Sequence, residues 1–505
     1  MLLGVLAMGV TSVAQAPDLR LIDAAKRGDL IATRRLLQQR VAAGAVAADG
    51  TTALHWAARG DALDVMRALV AAGAPASAAD RYGITPLALA AQNGSVAATK
   101  LLLDAGANPN AASGEGETVL MTASRTGRPE VVQMLLTRGA RPNEREGAYG
   151  ETALMWAAGH NHAAAIRVLA AGNADVNLRS RSIDLPPTKV DLATMVTTAL
   201  PRGGMTALMY AARQGAVDAA GALADAGADM NAIDPDGVSA LVLAIINAHF
   251  DVAGRLVEKG ADPNVADSAG MAALYAAVDM AHRDPFINRP RATPTGPPSA
   301  AGLVELLLAR GADPNGRLKA PLLMRQHNTG DASLGDGATP LMRAAKVPDV
   351  ALMRTLLTGG ADPSAALRNG TTTLMVVLGG RGARVVTPET PLFQAVQLLL
   401  DRGADVNAVN SSGETALHQS VMRGEALVRL LASHGARLDA RDASGRTPLD
   451  VALGVPAAAP AGRGRGGRGG GAPAAPQRAN EATIALLKEL GSGLVSALFA
   501  KPGPP

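Results

Sequence analysis

The chain has 505 residues and is 48% hydrophobic, yet it holds only ten aromatic residues (4 Tyr, 4 Phe and 2 Trp). Rings fill core volume efficiently, so their scarcity argues against one large core and for many small helices built from alanine, leucine and valine. The formal net charge is +4 and cysteine is absent, which excludes disulfides, thiol catalysis and cysteine-based metal sites.

The charge excess is local. Arg463, Arg465, Arg468 and Arg478 lie within 454–479, and without them 44 basic residues face 44 acidic ones. The balance of the remaining charges disfavours a globally basic nucleic-acid binder. Residues 1–16 read as an export signal: an uncharged apolar run to Val13, then Ala14-Gln15-Ala16 as a small-x-small cleavage pattern. No basic residue precedes the run. A periplasmic or secreted location is the expectation, with a short capping helix as the alternative and a cytoplasmic or host-directed protein as its consequence. No later segment offers the ~18 apolar residues of a membrane span.

From residue 50 onward the chain repeats itself. Gly50-Thr-Thr-Ala-Leu-His-Trp-Ala-Ala returns as Gly83-Ile-Thr-Pro-Leu-Ala-Leu-Ala-Ala and as Gly150-Glu-Thr-Ala-Leu-Met-Trp-Ala-Ala. Gly116, Gly204, Gly237, Gly270, Gly337, Gly370, Gly413 and Gly445 complete eleven units, most of them 33 residues apart. Gly-Ala pairs run in phase, from Gly73-Ala74 to Gly435-Ala436. The Thr is an N-cap for a short first helix. Pro86, Pro340 and Pro448 then sit at the first helical position, where no N–H is needed. The second helix carries an i, i+3, i+4 pattern, as in Val131, Val132, Met134, Leu135 and Leu136. Glycine ends it in a left-handed cap, with Asn173 as the tolerated substitute in repeat four.

These motifs resemble the ankyrin repeat family over roughly residues 20–490, and the export-like start resembles its bacterial exported members. The resemblance implies an all-α ankyrin-repeat solenoid. In it the first helices and hairpin tips line a concave face, the second helices form the back, and neighbouring units stabilise one another. Residues 17–49 form the N-terminal capping repeat and 50–453 the array. Inserts interrupt it at 178–203, 283–299, 316–336 and 379–390. The Pro/Gly/Arg-rich stretch 454–479 is expected to be disordered, 480–491 to supply the last second helix, and 492–505 a tail. Inserts 178–203 (Arg179, Arg181, Lys189, Arg202) and 316–336 (Arg317, Lys319, Arg325) would flank the concave face of repeats five to seven. Long inserts in compact arrays are more often functional or mobile than neutral.

In such units the residues after the Ala-Ala pair and at the tip usually face the partner. The first group is Arg59, Arg125, Arg213, Lys346 and, one place later, Arg423. Together they make a basic stripe that Glu117, Glu151 and Glu414 would neutralise. Trp56, Trp156 and Tyr210 share one slot of the first helix, with inter-repeat packing as the competing role. Tyr82 and Tyr149 precede tip glycines, where a ring has little structural reason to be. His55 and His418 match the family's structural histidine. His160 and His162 lack the acids or cysteines of a metal site. No catalytic or nucleotide-binding motif is present. The Arg-Gly-Arg-Gly-Gly-Arg-Gly-Gly run at 463–470 lacks the aromatics that stack on bases. The reading is a non-catalytic, monomeric, cofactor-free scaffold for a protein partner. Nucleic-acid or anionic-polymer binding through the Arg-rich insert and the basic stripe is the alternative.

Overall fold

The structure is a computed structural model and describes residues 18–182, 203–282, 294–319, 334–379, 387–457 and 478–499. The expected export signal, most of each insert and Arg463, Arg465 and Arg468 lie outside these residues, as do Lys189, Arg202 and Arg325. The described chain is all-α, with 24 helices and only isolated β-bridges at hairpins, such as Val46 with Thr52 and Ala112 with Thr118.

The helices fall into two compact units, the first reaching Asp229 and the second starting at Met230. The first unit opens with a capping pair, Arg20–Lys26 and Leu30–Gln38. Repeat one follows as Ala53–Arg59 and Leu63–Ala71, repeat two as Pro86–Gln92 and Val96–Asp104, and repeat three as Val119–Thr126 and Pro129–Thr137. Repeat four is Ala153–Gly159 and Ala163–Ala171, and repeat five Ala207–Gln214 and Val217–Asp225. First helices pack on first helices and second on second along the unit. In the second unit the same alternation runs from Ala240–Ile246 and Phe250–Glu258 in repeat six to Pro448–Ala452 in repeat eleven. The helix Glu481–Phe499 takes the second-helix place of repeat eleven, against Glu425–Ser433 of repeat ten. It runs on past Gly491, where the sequence reading ends it. A glycine stops a helix by taking a left-handed cap, and Gly491 has no positive φ.

The repeat motif acts through four contacts. The threonine hydroxyl caps the first helix: Thr85 Oγ1 accepts from Ala88 N at 3.2 Å and Thr118 Oγ1 from Met121 N at 3.2 Å. Repeat seven has Ala272 in this place and no side-chain cap. The leucine two residues on is the core: Leu54, Leu87, Leu120 and Leu154 are all buried. Buried alanines such as Ala57, Ala58, Ala90 and Ala91 let the first helices approach closely. The second helix ends in the left-handed region, at φ 87° for Gly139 and φ 65° for Asn173.

In most repeats an asparagine then ties one turn to the next, with Ser77 in its place in repeat one. Asn110 Oδ1 accepts the Arg141 N–H at 2.8 Å, while its Nδ2 donates to the Gly139 carbonyl at 2.9 Å. Asn264, Asn315 and Asn407 repeat this arrangement in the second unit. The aspartate two residues earlier shapes the turn: Asp262 Oδ1 accepts the Asn264 N–H at 2.8 Å. Asp175, Asp313, Asp362 and Asp405 accept in the same way from the N–H two residues on. Hairpin tips are joined as well, with the Tyr82 carbonyl accepting from Gly114 N at 2.8 Å and the Tyr149 carbonyl from Arg181 N at 2.6 Å.

Candidate functional site

Side chains at two slots of the first helix define the candidate face. The slot six residues after the tip glycine holds Trp56, Trp156, Tyr210 and Arg343, and the slot nine after it holds Arg59, Arg125, Arg213, Asp279 and Lys346. Stacking brings the second slot of one repeat against the first slot of the next. Arg125 accordingly lies over the Trp156 ring, 4.9 Å from its centroid. Lys26 of the capping helix lies 4.6 Å from the Trp56 centroid, and Arg59 covers the same ring at 5.5 Å. In repeat five Arg213 stacks on Tyr210 of its own helix at 5.0 Å. The first unit therefore presents cation–ring pairs along its first-helix face.

The two tryptophans are half-buried, whereas Tyr210 is buried. Burial, together with a hydrogen bond to Glu151, pushes the Tyr210 phenol well above its ordinary range. It stays a neutral hydroxyl, and packing is its main role. The Trp156 indole N–H is buried without a hydrogen-bond partner. Arg125 also pairs with Glu117 at 3.3 Å, and Glu117 Oε1 accepts the Thr122 hydroxyl at 2.8 Å. Glu117 thus neutralises its arginine as the sequence suggests. Glu414 instead accepts from Asn410 and Gln419. Beside Arg125 a hollow of about 220 Å³ lies between repeats two and three, lined by Gln92, Glu117, Thr122 and the tip residues Ala112 and Ser113.

The tip tyrosines are open to solvent, Tyr82 at 59% and Tyr149 at 55% exposure. Their backbones hold the tips: Asp80 Oδ1 accepts the Tyr82 N–H at 2.9 Å and Glu146 Oε1 the Tyr149 N–H at 2.6 Å. Arg81 lies 4.8 Å over the Tyr82 ring. Both rings keep exposed surface for contact. Lys346 and Arg423 belong to the second unit and are half-buried, Lys346 ending the helix Pro340–Lys346 and Arg423 following Ala416–Ser420.

His55 and His418 are structural. His55 Nδ1 accepts the Thr52 N–H at 3.1 Å, so Nε2 carries the proton that it donates to the Ile84 carbonyl of the next repeat at 3.0 Å. Burial holds the His55 pKa below its ordinary value. His418 bridges Thr415 and the Arg446 carbonyl in the same way. One ring nitrogen of each of His160 and His162 meets a backbone carbonyl, His160 Nδ1 that of Trp156 and His162 Nε2 that of Arg125, both at 2.9 Å. Among the described residues no group of His, Cys, Asp or Glu is arranged to hold a metal ion, and no helix is long and apolar enough to cross a membrane.

Sequence reasoning missed two features. Lys26 escaped because the capping repeat lacks the Thr-x-Leu motif that sets the slot numbering. The other is a buried polar cluster in the second unit. Arg343 Nε donates to Asp279 Oδ1 at 2.6 Å, with side-chain exposures of 8% and 3%, and Arg343 Nη2 donates to the His282 carbonyl at 2.9 Å. His282 Nε2 meets Asp349 Oδ2 at 2.9 Å. Tyr275 is buried beside this cluster, and burial together with the Asp279 charge pushes its phenol up. An acid and an arginine in slots that elsewhere hold a cation and a ring were the available signal.

A family model described as "Ankyrin repeats (3 copies)" matches residues 21–113, 110–180, 190–267, 208–284 and 389–455. Human cyclin-dependent kinase 4 inhibitor B is 37% identical over 131 residues, which cover 26% of this chain and 87% of that protein. The Arabidopsis thaliana E3 ubiquitin-protein ligase KEG is 30% identical over 161 residues, 30% of this chain but 8% of the ligase. The ankyrin repeat domain of human ASB11 aligns with 47% of this chain and 96% of its own, at 25% identity and a TM-score of 0.38.

Proposed function

Because the chain belongs to the ankyrin repeat family, whose repeats mediate contacts between proteins, we propose that it is a non-catalytic scaffold holding a protein partner against its first-helix face and hairpin tips. The observation that carries this reading is the run of cation–ring pairs in the first unit, Lys26–Trp56–Arg59 and Arg125–Trp156, with the exposed Tyr82 and Tyr149 at its edge. Aromatic and arginine side chains dominate binding hot spots, and here each is pre-ordered by stacking. The face is carried on short helices whose caps and turns are hydrogen-bonded from repeat to repeat, so little order remains to be gained on binding. The relative named as an inhibitor of cyclin-dependent kinase 4 supports a protein as the target class.

The reading includes export directed by residues 1–16 and a monomeric state. N-terminal sequencing of the mature protein tests the first: a start at Pro17 supports it and an intact Met1 overturns it. Sedimentation of the purified chain tests the second. The function itself is tested by affinity capture on residues 17–505, from envelope and cytosolic fractions of the source. One protein retained by the native chain and lost on Tyr82→Ala with Tyr149→Ala is the expected result. Retention of nucleic acid alone, released by salt, would move the function to the Arg-rich insert.

A further inference from the structure

Both tryptophans of the chain lie on the first-helix face of the first unit, but their charge environments differ. Arg125, over Trp156, is neutralised by Glu117. Trp56 is covered by two exposed cations, Lys26 and Arg59, and neither forms an ion pair among the described residues. Arg81, over Tyr82 at the neighbouring tip, forms none either. Most acids at this end of the unit are engaged elsewhere, while Asp61, just past the helix Ala53–Arg59, is exposed and forms no ion pair among the described residues. Asp18 pairs with Arg20 at 2.6 Å and Asp64 with Arg67 at 3.1 Å. Asp49 Oδ1 accepts the N–H and hydroxyl of Thr51, and Asp80 Oδ1 the N–H groups of Tyr82 and Ile84. Asp23 is the one exposed acid on the first helices of the cap and repeats one and two, and the helix Pro86–Gln92 carries no charge at all.

An ammonium and a guanidinium held over one indole are pre-positioned charges at a partly apolar surface, where a carboxylate gains both an ion pair and, on arginine, a forked hydrogen bond. A nucleobase would need the ring face that the cations already cover. We propose that the partner segment seated on the cap and repeats one and two is an acidic peptide stretch, with carboxylates on Lys26 and Arg59. This deepens the scaffold reading and rests on it. First helices stand about 10 Å apart, so the face from the cap to repeat two spans roughly 20 Å. About six residues of extended chain match that length.

The test uses the full chain and its own fluorophores. A ten-residue peptide of alternating glutamate and alanine is titrated while tryptophan emission is followed, with lysine–alanine and glutamine–alanine peptides and a ten-nucleotide single-stranded DNA as comparisons. The expected result is a saturable change with the acidic peptide alone, its apparent Kd raised at least tenfold in the Lys26→Ala/Arg59→Ala double variant. In the charge-conserving Lys26→Arg/Arg59→Lys variant the Kd is nearly restored. Circular dichroism of both variants separates lost binding from lost fold. Equal response to the neutral peptide, an unchanged Kd in the folded alanine variant, or tighter binding of the DNA overturns the proposal. If affinity capture still retains a partner whose binding ignores Lys26 and Arg59, the acidic-peptide assignment fails while the scaffold reading stands. If no partner is retained, the scaffold reading fails with it.

Discussion

Asp279 and Arg343 place opposite charges inside a stack otherwise built from alanine, leucine and valine, and that burial sets the sign of any change to them. Removing one partner leaves the other without this counter-charge in a poorly solvated site. Asp279→Ala or Arg343→Ala is expected to cost about 3–5 kcal/mol, whereas the paired change Asp279→Leu/Arg343→Met is expected to be nearly neutral. Urea midpoints of the three variants decide this, and a double variant as weak as the single ones would mean that the pair does more than satisfy itself. His55 supplies the corresponding pH effect. Its folded pKa lies below the ordinary 6.5 because burial disfavours the imidazolium, and its Nδ1 is already an acceptor. Below that value the unfolded chain takes up a proton that the folded chain resists, so stability is full above 6.5 and is lost as pH falls. Between about pH 7 and pH 5 the native chain should lose stability more steeply than His55→Gln, in which the titration is gone. Parallel pH profiles would contradict the assignment.

The first helix is short, seven or eight residues in most repeats, and could not persist alone. Its cap and its neighbours hold it. Repeat seven shows what a missing cap looks like, since Ala272 already has the extended backbone of an N-cap but lacks the hydroxyl. Ala272→Thr is therefore expected to stabilise the chain by about 1 kcal/mol, read as a raised melting temperature. A lowered one would show that the site has no room for the side chain. Much of this level was legible in the sequence. Thr-x-Leu and Gly-Ala at fixed spacing place both helices and both caps, and even Asn173 takes the left-handed turn that its position demands. The cross-repeat contacts were less legible, because they depend on which residue of the next unit lands opposite. Arg125 and Trp156 sit in units of ordinary spacing, so their pairing is readable afterwards. Asp279 and Arg343 are separated by two inserts that stretch the step from Gly270 to Gly337, and their partnership is hidden until the stack is built. The tip tyrosines were legible as exposed rings but not as the points where one tip's carbonyl holds the next.

Taken as whole molecules, repeat stacks hold together through nearest neighbours, because each unit buries its apolar face only against the units beside it. The first-helix face is a product of that stacking. Arg125 and Trp156 come from different repeats, as do Lys26 and Trp56, so the face keeps its geometry only while adjacent repeats stay in register. Leu120 lies in the core of repeat three, at 1% exposure. Leu120→Ala is expected to cost about 2–5 kcal/mol through lost burial and the cavity left behind. With nearest-neighbour coupling, amide exchange should quicken in Pro86–Gln92, Val119–Thr126 and Ala153–Gly159 and stay unchanged in Ala416–Ser420 and Glu425–Ser433. The same variant should weaken partner binding although Leu120 itself is buried, because the Arg125–Trp156 contact spans the loosened junction. Faster exchange by the same factor in all these helices would show that the chain opens as one cooperative body. Its binding face would then depend on total stability, not on the junction between repeats three and four.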